Sequence, residues 1–496
     1  MAFIRKVKTS SGATAVQIAY KAYGKIIRID HIGSAHNVTD LEILQELAQI
    51  KLHSNQTSLF EPPTSQKIII ATSVSSVLRD VILKQYSQLR FSELNDSYFA
   101  YLCLARIVEP TSKLDSLRVL NELGISKIIS EDQLYRCLKR VIANNYRDKL
   151  AELCFAQASI QTGGITLVLY DVTTLYFEVQ KEDEDDSNNQ GYRKPGMSKE
   201  RRLEPQIIVG LLVDQNGFPL ELHSFEGDKP ETKTILPVME SFKKRHGLLG
   251  ITVVADAGML SKANLESLNT AGYNYIVGSR MNKIPYDIAE YQETGELSDN
   301  QIITSKTDVP GQRIIYQYRE KRANLDRRNI KKQIDKAEKI VKGTTSTKRA
   351  KFLSITTKNK QLNQALIDKA KALAGIKGYV TNLPTKEASN KRVIAYYHQL
   401  WHVEQSFRMS KNDLKARPIF HHKKDAIEAH LTIVMATLAI GRVMEKKTGL
   451  SVKRIVKILR PIRSGTVFIA GKEFEAEANI PQSIKLLLKQ LDRDTN

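Results

Sequence analysis

Hydrophobic positions along the chain change period several times, and those changes divide it. Residues 1–50 alternate as short strands (VKTSSGATAVQIAY, GKIIRIDHIG) and then turn helical in TDLEILQELAQIKL. From about 92 to 158 the period is helical, punctuated by Pro110, a Thr111/Ser112 cap, Gly124 and a capping-box sequence, SEDQ, at 130–133. A different texture starts at 165. ITLVLYD (165–171) is a continuous apolar run that ends in a carboxylate, the pattern of a central strand buried on both faces. IIVGLLV and FPLELHSF flank Asn216-Gly217, a two-residue hairpin signal. A helix over 231–246, the buried strand ITVVADA (251–257), a helix capped by Ser261 and the strand YNYIVGS follow.

This order predicts a mixed α/β, RNase H-like core with an antiparallel hairpin on one side. The stretch 285–375 interrupts it with a basic, helix-prone segment, REKRANLDRRNIKKQIDKAEKIVKGTTSTKRAK. That segment reads either as a solvated charged helix or as a track for a phosphate backbone. GYVTNL (378–383) returns the chain to the core, and long helices are expected over 388–415 and 424–446. The division expected is 1–90 (N-terminal β/α), 91–160 (helical), 161–284 (first part of the core), 285–376 (basic insertion), 377–446 (second part of the core) and 447–496 (helix, hairpin, helix).

Composition narrows the function classes. The 496 residues are 42% hydrophobic with a net charge of +21, which suits a globular protein with a polyanionic partner. Cys103, Cys137 and Cys154 lack C-x-x-C spacing and read as small core residues, with neither a zinc site nor a disulfide framework. The start, MAFIRKVKTSSG, has no signal-peptide core, and LTIVMATLAI (431–440) is half a membrane span. The expectation is a cytoplasmic protein without a membrane partner. In QLYRCLKRV the apolar Leu134, Leu138 and Val141 share a face, while Arg136, Lys139 and Arg140 lie elsewhere. A helix-turn-helix-like DNA reader and an ordinary bundle with a basic face both fit. The acidic run EDEDD (182–186) reads as solvent-facing loop.

Asp171 and Asp256 each follow an apolar run, so strands lying parallel would bring both to the carboxyl edge of the sheet. Phosphodiester chemistry assisted by two divalent ions needs about three such carboxylates, because magnesium takes oxygen ligands. In YHQLWHVEQSFRMSK (397–411), Tyr397, Trp401, Glu404, Arg408 and Lys411 recur at helical spacing. They form either a carboxylate ligand flanked by DNA-holding cations and aromatics, or a plain amphipathic helix with a Glu404–Arg408 ion pair.

Three blocks carry a resemblance: YDVTTLYFE (170–178), with GYRKPGMSKERRLEPQIIVGLLVDQNGFPLELHSFEGDKPETKT downstream; VVADAGMLSKANL (253–265); and YHQLWHVEQSFRMSK running into NDLKARPIFHHKKDAIEAHL. Together they resemble the DDE transposases of bacterial insertion sequences that bear a Y-x2-R-x3-E-x6-K signature. The resemblance implies that Asp171, Asp256 and Glu404 are the catalytic carboxylates holding Mg2+, for which Mn2+ can substitute. It implies that Tyr397 and Lys411 contact transposon-end DNA, in an assembly of at least a dimer on DNA. The long gap between Asp256 and Glu404 matches an insertion ahead of the Glu-bearing helix. One position departs: the signature's Arg falls on Leu400, leaving Arg408 or His398 to serve the phosphate. His398, His402, His421 and His422 read as phosphate contacts or surface residues and not as metal ligands. The function implied is cleavage of double-stranded DNA at transposon ends and strand transfer to target DNA. The alternatives are a nuclease or resolvase with the same triad, and a domesticated DNA-binding protein.

Overall fold

The computed structural model describes residues 2–9, 12–35, 37–53, 68–125, 129–179, 181–185, 191–197, 203–248, 250–259, 261–279, 285–294, 297–307, 309–344, 350–355, 360–469 and 472–493. Asp186 of the acidic run, residues 198–202 and Leu260 of the resembling blocks, and 345–349 of the basic segment lie outside the described residues. The chain gathers into two compact units, one of residues 1–161 with 408–496 and one of residues 162–407.

The first unit opens with β1 (Ala2–Lys8), β2 (Thr14–Ala22) and β3 (Lys25–Ala35), an antiparallel meander packed on α1 (Val38–His53). Then come β4 (Ile68–Ile70) and the helices α2 (Ser76–Gln88), α3 (Ser97–Val108), α4 (Ser116–Glu122), α5 (Glu131–Ala143) and α6 (Tyr146–Thr162). The capping box at the start of α5 forms: Ser130 accepts from the Gln133 backbone, and the Gln133 side chain accepts from Ser130 N–H. Two of the three basic candidates on α5, Arg136 and Lys139, are exposed. Arg140 is committed elsewhere, because its Nε and Nη2 donate to Asp96 at 2.8 and 2.9 Å. That carboxylate also caps α3, so the pair ties two helices of the bundle together. Cys103, Cys137 and Cys154 are buried and free.

The second unit is built on one eight-stranded sheet. Its strands are β5 (Leu167–Tyr176), β6 (Gln206–Asp214), β7 (Pro219–Glu226), β8 (Thr252–Ala255), β9 (Asn274–Ser279), β10 (Ile302–Lys306), β11 (Arg313–Tyr318) and, after the short pair β12 (Leu353–Ile355) and β13 (Lys360–Leu362), β14 (Ile376–Thr381). Spatial order is β10-β11-β14-β9-β8-β5-β6-β7. Within it, β7-β6-β5 pair antiparallel and β5-β8-β9 pair parallel, which is the RNase H-like core. Every residue of β6 and β8 is buried, as their unbroken apolar runs require; each large side chain so placed contributes about 1.5–3 kcal/mol. The Asn216-Gly217 hairpin forms with a wider turn than two residues. Asp214 closes it, accepting from the Asn216 and Phe218 amides at 2.9 and 2.8 Å.

Two expectations change here. The strand that carries Asp171 does not end there but runs on to Tyr176, because Val172-Thr173-Thr174-Leu175-Tyr176 is β-branched and aromatic and keeps pairing with β6. The stretch 285–375 is more than an interruption: its β10 and β11 extend the core sheet beyond β14. Its other elements are α9 (Tyr286–Thr294), α10 (Glu320–Val341) and α11 (Gln364–Ala372), which follow α7 (Ile235–His246) and α8 (Lys262–Thr270). The described part of the acidic run is a largely exposed loop, as expected, and it is tied down. Asp183 binds the Arg193 backbone and guanidinium, and Asp185 binds Lys194 at 3.0 Å, clasping a loop to itself.

The expected helix over 388–415 is divided. α12 (Asn390–His398) stops, a turn spans 399–400, and α13 (Trp401–Arg408) restarts, followed by a π-type turn over Met409–Asp413. The first unit then closes with α14 (Lys424–Thr448), α15 (Val452–Leu459), β15 (Gly465–Ile469), β16 (Lys472–Ala476) and α16 (Gln482–Asp492). α14 is long and apolar enough to cross a membrane, but it is a buried core helix packed on α3 and α5.

Candidate active site

Strand register brings the first two carboxylates together. Along β5 and β8, Leu167 pairs with Thr252 and so on in step to Tyr170 with Ala255. Asp171 and Asp256 each follow the last pair of that ladder, and the charges of both act on the Tyr397 hydroxyl, so they stand near one another at this end of β8. Asp171 is half-buried in mid-strand, and Asp256 is exposed just past the end of β8.

Asp256 is held in place. Its Oδ1 accepts from its neighbour's amide, Ala257 N, and from the Tyr397 hydroxyl, both at 2.7 Å. Tyr397 lies on α12, which packs over β8, β9 and β14, and it is only 4% exposed. Burial pushes its hydroxyl pKa up, and the charges of Asp256 and Asp171 push the same way, so the phenol stays a donor. The hydroxyl reaches Asp256 by passing over Gly278, where a Cβ would lie 2.7 Å from its oxygen. Tyr397→Phe removes this one bond while keeping the ring. The expected result is a stability loss of about 1 kcal/mol in denaturant melts and weaker metal binding by titration calorimetry; unchanged metal binding would show that the bond does not orient Asp256.

Lys377, on β14, was invisible as a site residue in the sequence. Its Nζ stands 4.4 Å from the centre of the Tyr397 ring and 5.9 Å from that of Tyr379, and the two rings meet edge to face at 5.0 Å. Burial lowers its pKa first and Arg322 lowers it further, while Asp256 and Glu404 both raise it. Lys377 therefore shares the fields of two of the three carboxylates. The start of the basic helix α10 is close too, since Arg319 and Arg322 both act on Tyr379. His398 is held below its usual value by burial and then by the charges of Lys377 and Arg319.

Glu404 is exposed on α13, but the stripe predicted around it does not survive. The break between the helices is tightened by i→i−3 bonds, with Leu400 N on Tyr397 O at 3.1 Å and His402 N on Gln399 O at 2.9 Å. Tyr397 consequently points inward while Trp401, 53% exposed and stacked on His402 at 3.8 Å, points out. Arg408 and Lys411 belong to the other compact unit. Leu400 is 9% exposed, so the position of the signature Arg is an apolar slot that would bury a guanidinium.

Asp171, Asp256 and Glu404 are not drawn into a finished metal cage. Among the described residues, no group of three or more His, Cys, Asp or Glu stands close enough to hold an ion. The donor chemistry nonetheless fits a hard divalent cation. Asp171 and Asp256 are oxygen donors whose charges both act on Tyr397, and among the described residues both hydrogen bonds to Asp256 fall on Oδ1.

Residues 162–440, more than half of the 496, match the family model for the transposase DDE domain. No curated protein matches the chain. Among solved structures, the piggyBac transposase synaptic complex with hairpin DNA aligns at 9% identity and a TM-score of 0.39, over 83% of this chain and 74% of that one. The Mos1 transposase paired-end complex with the left transposon end aligns at 10% identity and a TM-score of 0.16, over 47% and 66%.

Proposed function

As this chain belongs to the transposase DDE-domain family, we propose that it is an insertion-sequence transposase that cuts the terminal inverted repeats of its element and joins the released ends to target DNA. The family implies metal-dependent DNA cleavage and joining. The observation that supports the residue assignment is the parallel ladder of β5 and β8, whose last pair, Tyr170 with Ala255, comes just before Asp171 and Asp256.

In this reading Asp171, Asp256 and Glu404 hold two Mg2+ ions, or Mn2+ in their place. Bound there, the ions would activate the attacking oxygen and neutralise charge on the phosphate. The chain's own residues do the positioning. Tyr397 fixes the rotamer of Asp256 by donating to Oδ1. Lys377, between the fields of Asp256 and Glu404, holds the scissile phosphate and takes over the cationic role that Leu400 cannot fill. Arg319 and Arg322 extend that positive surface along α10, and Trp401 offers an exposed ring for a displaced base.

The test is full-length protein with duplexes that end in the repeats flanking its reading frame. Cleavage at the repeat ends in Mg2+ and their joining to a plasmid are expected, with neither in chelator. Repeat-independent degradation would replace the transposase reading by a nuclease, and no cleavage under any divalent metal would remove the enzyme.

A further inference from the structure

The segment VKRIVKILRPIR (452–463) holds five Lys or Arg and no Asp or Glu, and none of it belongs to the carboxylate site. It forms α15 and the turn after it, beyond the residues that match the family model. Val452, Ile455, Val456, Ile458 and Leu459 are buried, which leaves the cations to the outer face. Lys453, Lys457 and Arg460 recur there at one-turn spacing, about 6 Å for each four residues. These three line a cleft of about 620 Å3 in the first unit, with Arg463 and, from the turn that follows Met409–Asp413, Lys415. The buried Ile107 and Val108, at the end of α3, supply apolar lining.

Pairing within the cleft is incomplete. Arg460 donates to Glu122 at 2.9 and 2.6 Å and to Glu109 at 2.6 Å, and Arg463 donates to Glu122 at 2.8 Å. Lys453 stands 3.0 Å from Asp413. Those three cations are answered. Lys415 and Lys457 are exposed and make no hydrogen bond or ion pair among the described residues. Glu109 and Asp413 are the carboxylates among the described lining residues, and both are already engaged.

Both lysines are mounted on fixed backbone. Lys457 lies between Val456 and Ile458, and Lys415 between Leu414 and Ala416, all four buried. Leu414 N donates to Met409 O at 3.0 Å and Ala416 N to Ser410 O at 2.8 Å. Those bonds hold Lys415 at φ 43°, a left-handed conformation that a lysine rarely adopts. A concave wall of one charge sign over apolar atoms focuses its field outward and concentrates anions. The net charge of +21 and the one-turn spacing of cations suit an extended polyanion.

We propose that this cleft binds the backbone of duplex DNA, with Lys415 and Lys457 each neutralising a phosphate, and that it shares no residue with the carboxylate site. That the polyanion is DNA rests on the transposase reading; the cleft itself rests on the two unanswered charges in a basic hollow. Phosphate contacts carry no sequence information, so the cleft holds DNA of any sequence and positions it.

The test is duplex binding by the full-length chain without divalent metal over a range of KCl. Wild type is compared with Lys415→Gln plus Lys457→Gln, with the same two positions changed to Arg, and with Lys485→Gln plus Lys489→Gln. The last pair removes two exposed charges on α16, outside the cleft. Exposed lysines are changed without loss of the fold, which melts check. The cleft Gln pair is expected to bind about tenfold more weakly, on repeat-ended and scrambled duplexes alike. Its slope of log K against log salt should be shallower by about 1.8, at about 0.9 for each of two phosphates. The Arg pair and the α16 pair should keep the wild-type slope. An unchanged slope in the cleft Gln pair, an equal change in the α16 pair, or an Arg pair no better than the Gln pair overturns the site while wild-type binding leaves the transposase reading intact. A loss on the repeat-ended duplex alone overturns the backbone assignment. A wild type that binds neither duplex overturns the transposase reading and the DNA assignment with it.

Discussion

Asp171→Asn and Asp256→Asn, made separately, are each expected to abolish Mg2+-dependent cleavage of a repeat-ended duplex while leaving duplex binding within about twofold of wild type. The two residues each follow the last pair of the parallel β5–β8 ladder, and both charges act on Tyr397, so each supplies one of two neighbouring negative charges. Asparagine keeps size and hydrogen bonding, and at position 256 it still accepts from Tyr397. What it removes is one unit of charge facing a divalent ion. A metal-site loss of several kcal/mol, at 1.36 kcal/mol per tenfold, corresponds to about a thousandfold or more in rate. The strands should be undisturbed, because Asp171 is only half-buried and Asp256 is exposed. The measurement is single-turnover cleavage beside an anisotropy titration. Cleavage at wild-type rate in either variant would end the assignment of that residue; joint loss of cleavage and binding would point to misfolding, which a melt would reveal.

Lys377→Met is expected to give the next largest loss, about a hundredfold in cleavage rate, with Lys377→Arg recovering part of it. Methionine preserves the stem over the Tyr397 ring, so packing is largely kept. The charge between Asp256 and Glu404 is lost. If Lys377 serves the scissile phosphate, the rate falls in the chemical step and metal affinity does not fall with it. If Lys377 only balances the carboxylates, removing it strengthens metal binding and leaves the saturated rate intact. The apparent metal constant, measured with the rate at saturating metal, separates the two; an unchanged saturated rate would sink the phosphate role.

Local pattern made the core legible. The apolar runs before Asp171 and Asp256, the Asn216-Gly217 turn and the Ser261 cap each follow from residues a few positions apart, and each appears in the fold. Lys377 was not legible. It sits in GIKGYV, where a single lysine among strand residues gives no sign of which face it occupies, and its partners Tyr397 and Glu404 lie 20 or more positions later. The helical stripe around Glu404 was overread, because spacing alone assumes an unbroken helix. The turn at 399–400 rotates Tyr397 away from Trp401.

The sequence by itself determined which segments become buried strands and which carboxylates follow their apolar runs, because burial and pairing reward local apolar runs. It also carried the family resemblance, including the break at Leu400. Only the tertiary structure decided that β8 lies parallel beside β5, that β10 and β11 join the same sheet, and that Lys377 enters the field of Asp256 and Glu404. Strand neighbours and buried charge partners are chosen by residues distant in sequence, and no local period encodes them. The same reason hid the contact between Arg106 and His430, which lie 324 positions apart and meet only when the first unit closes.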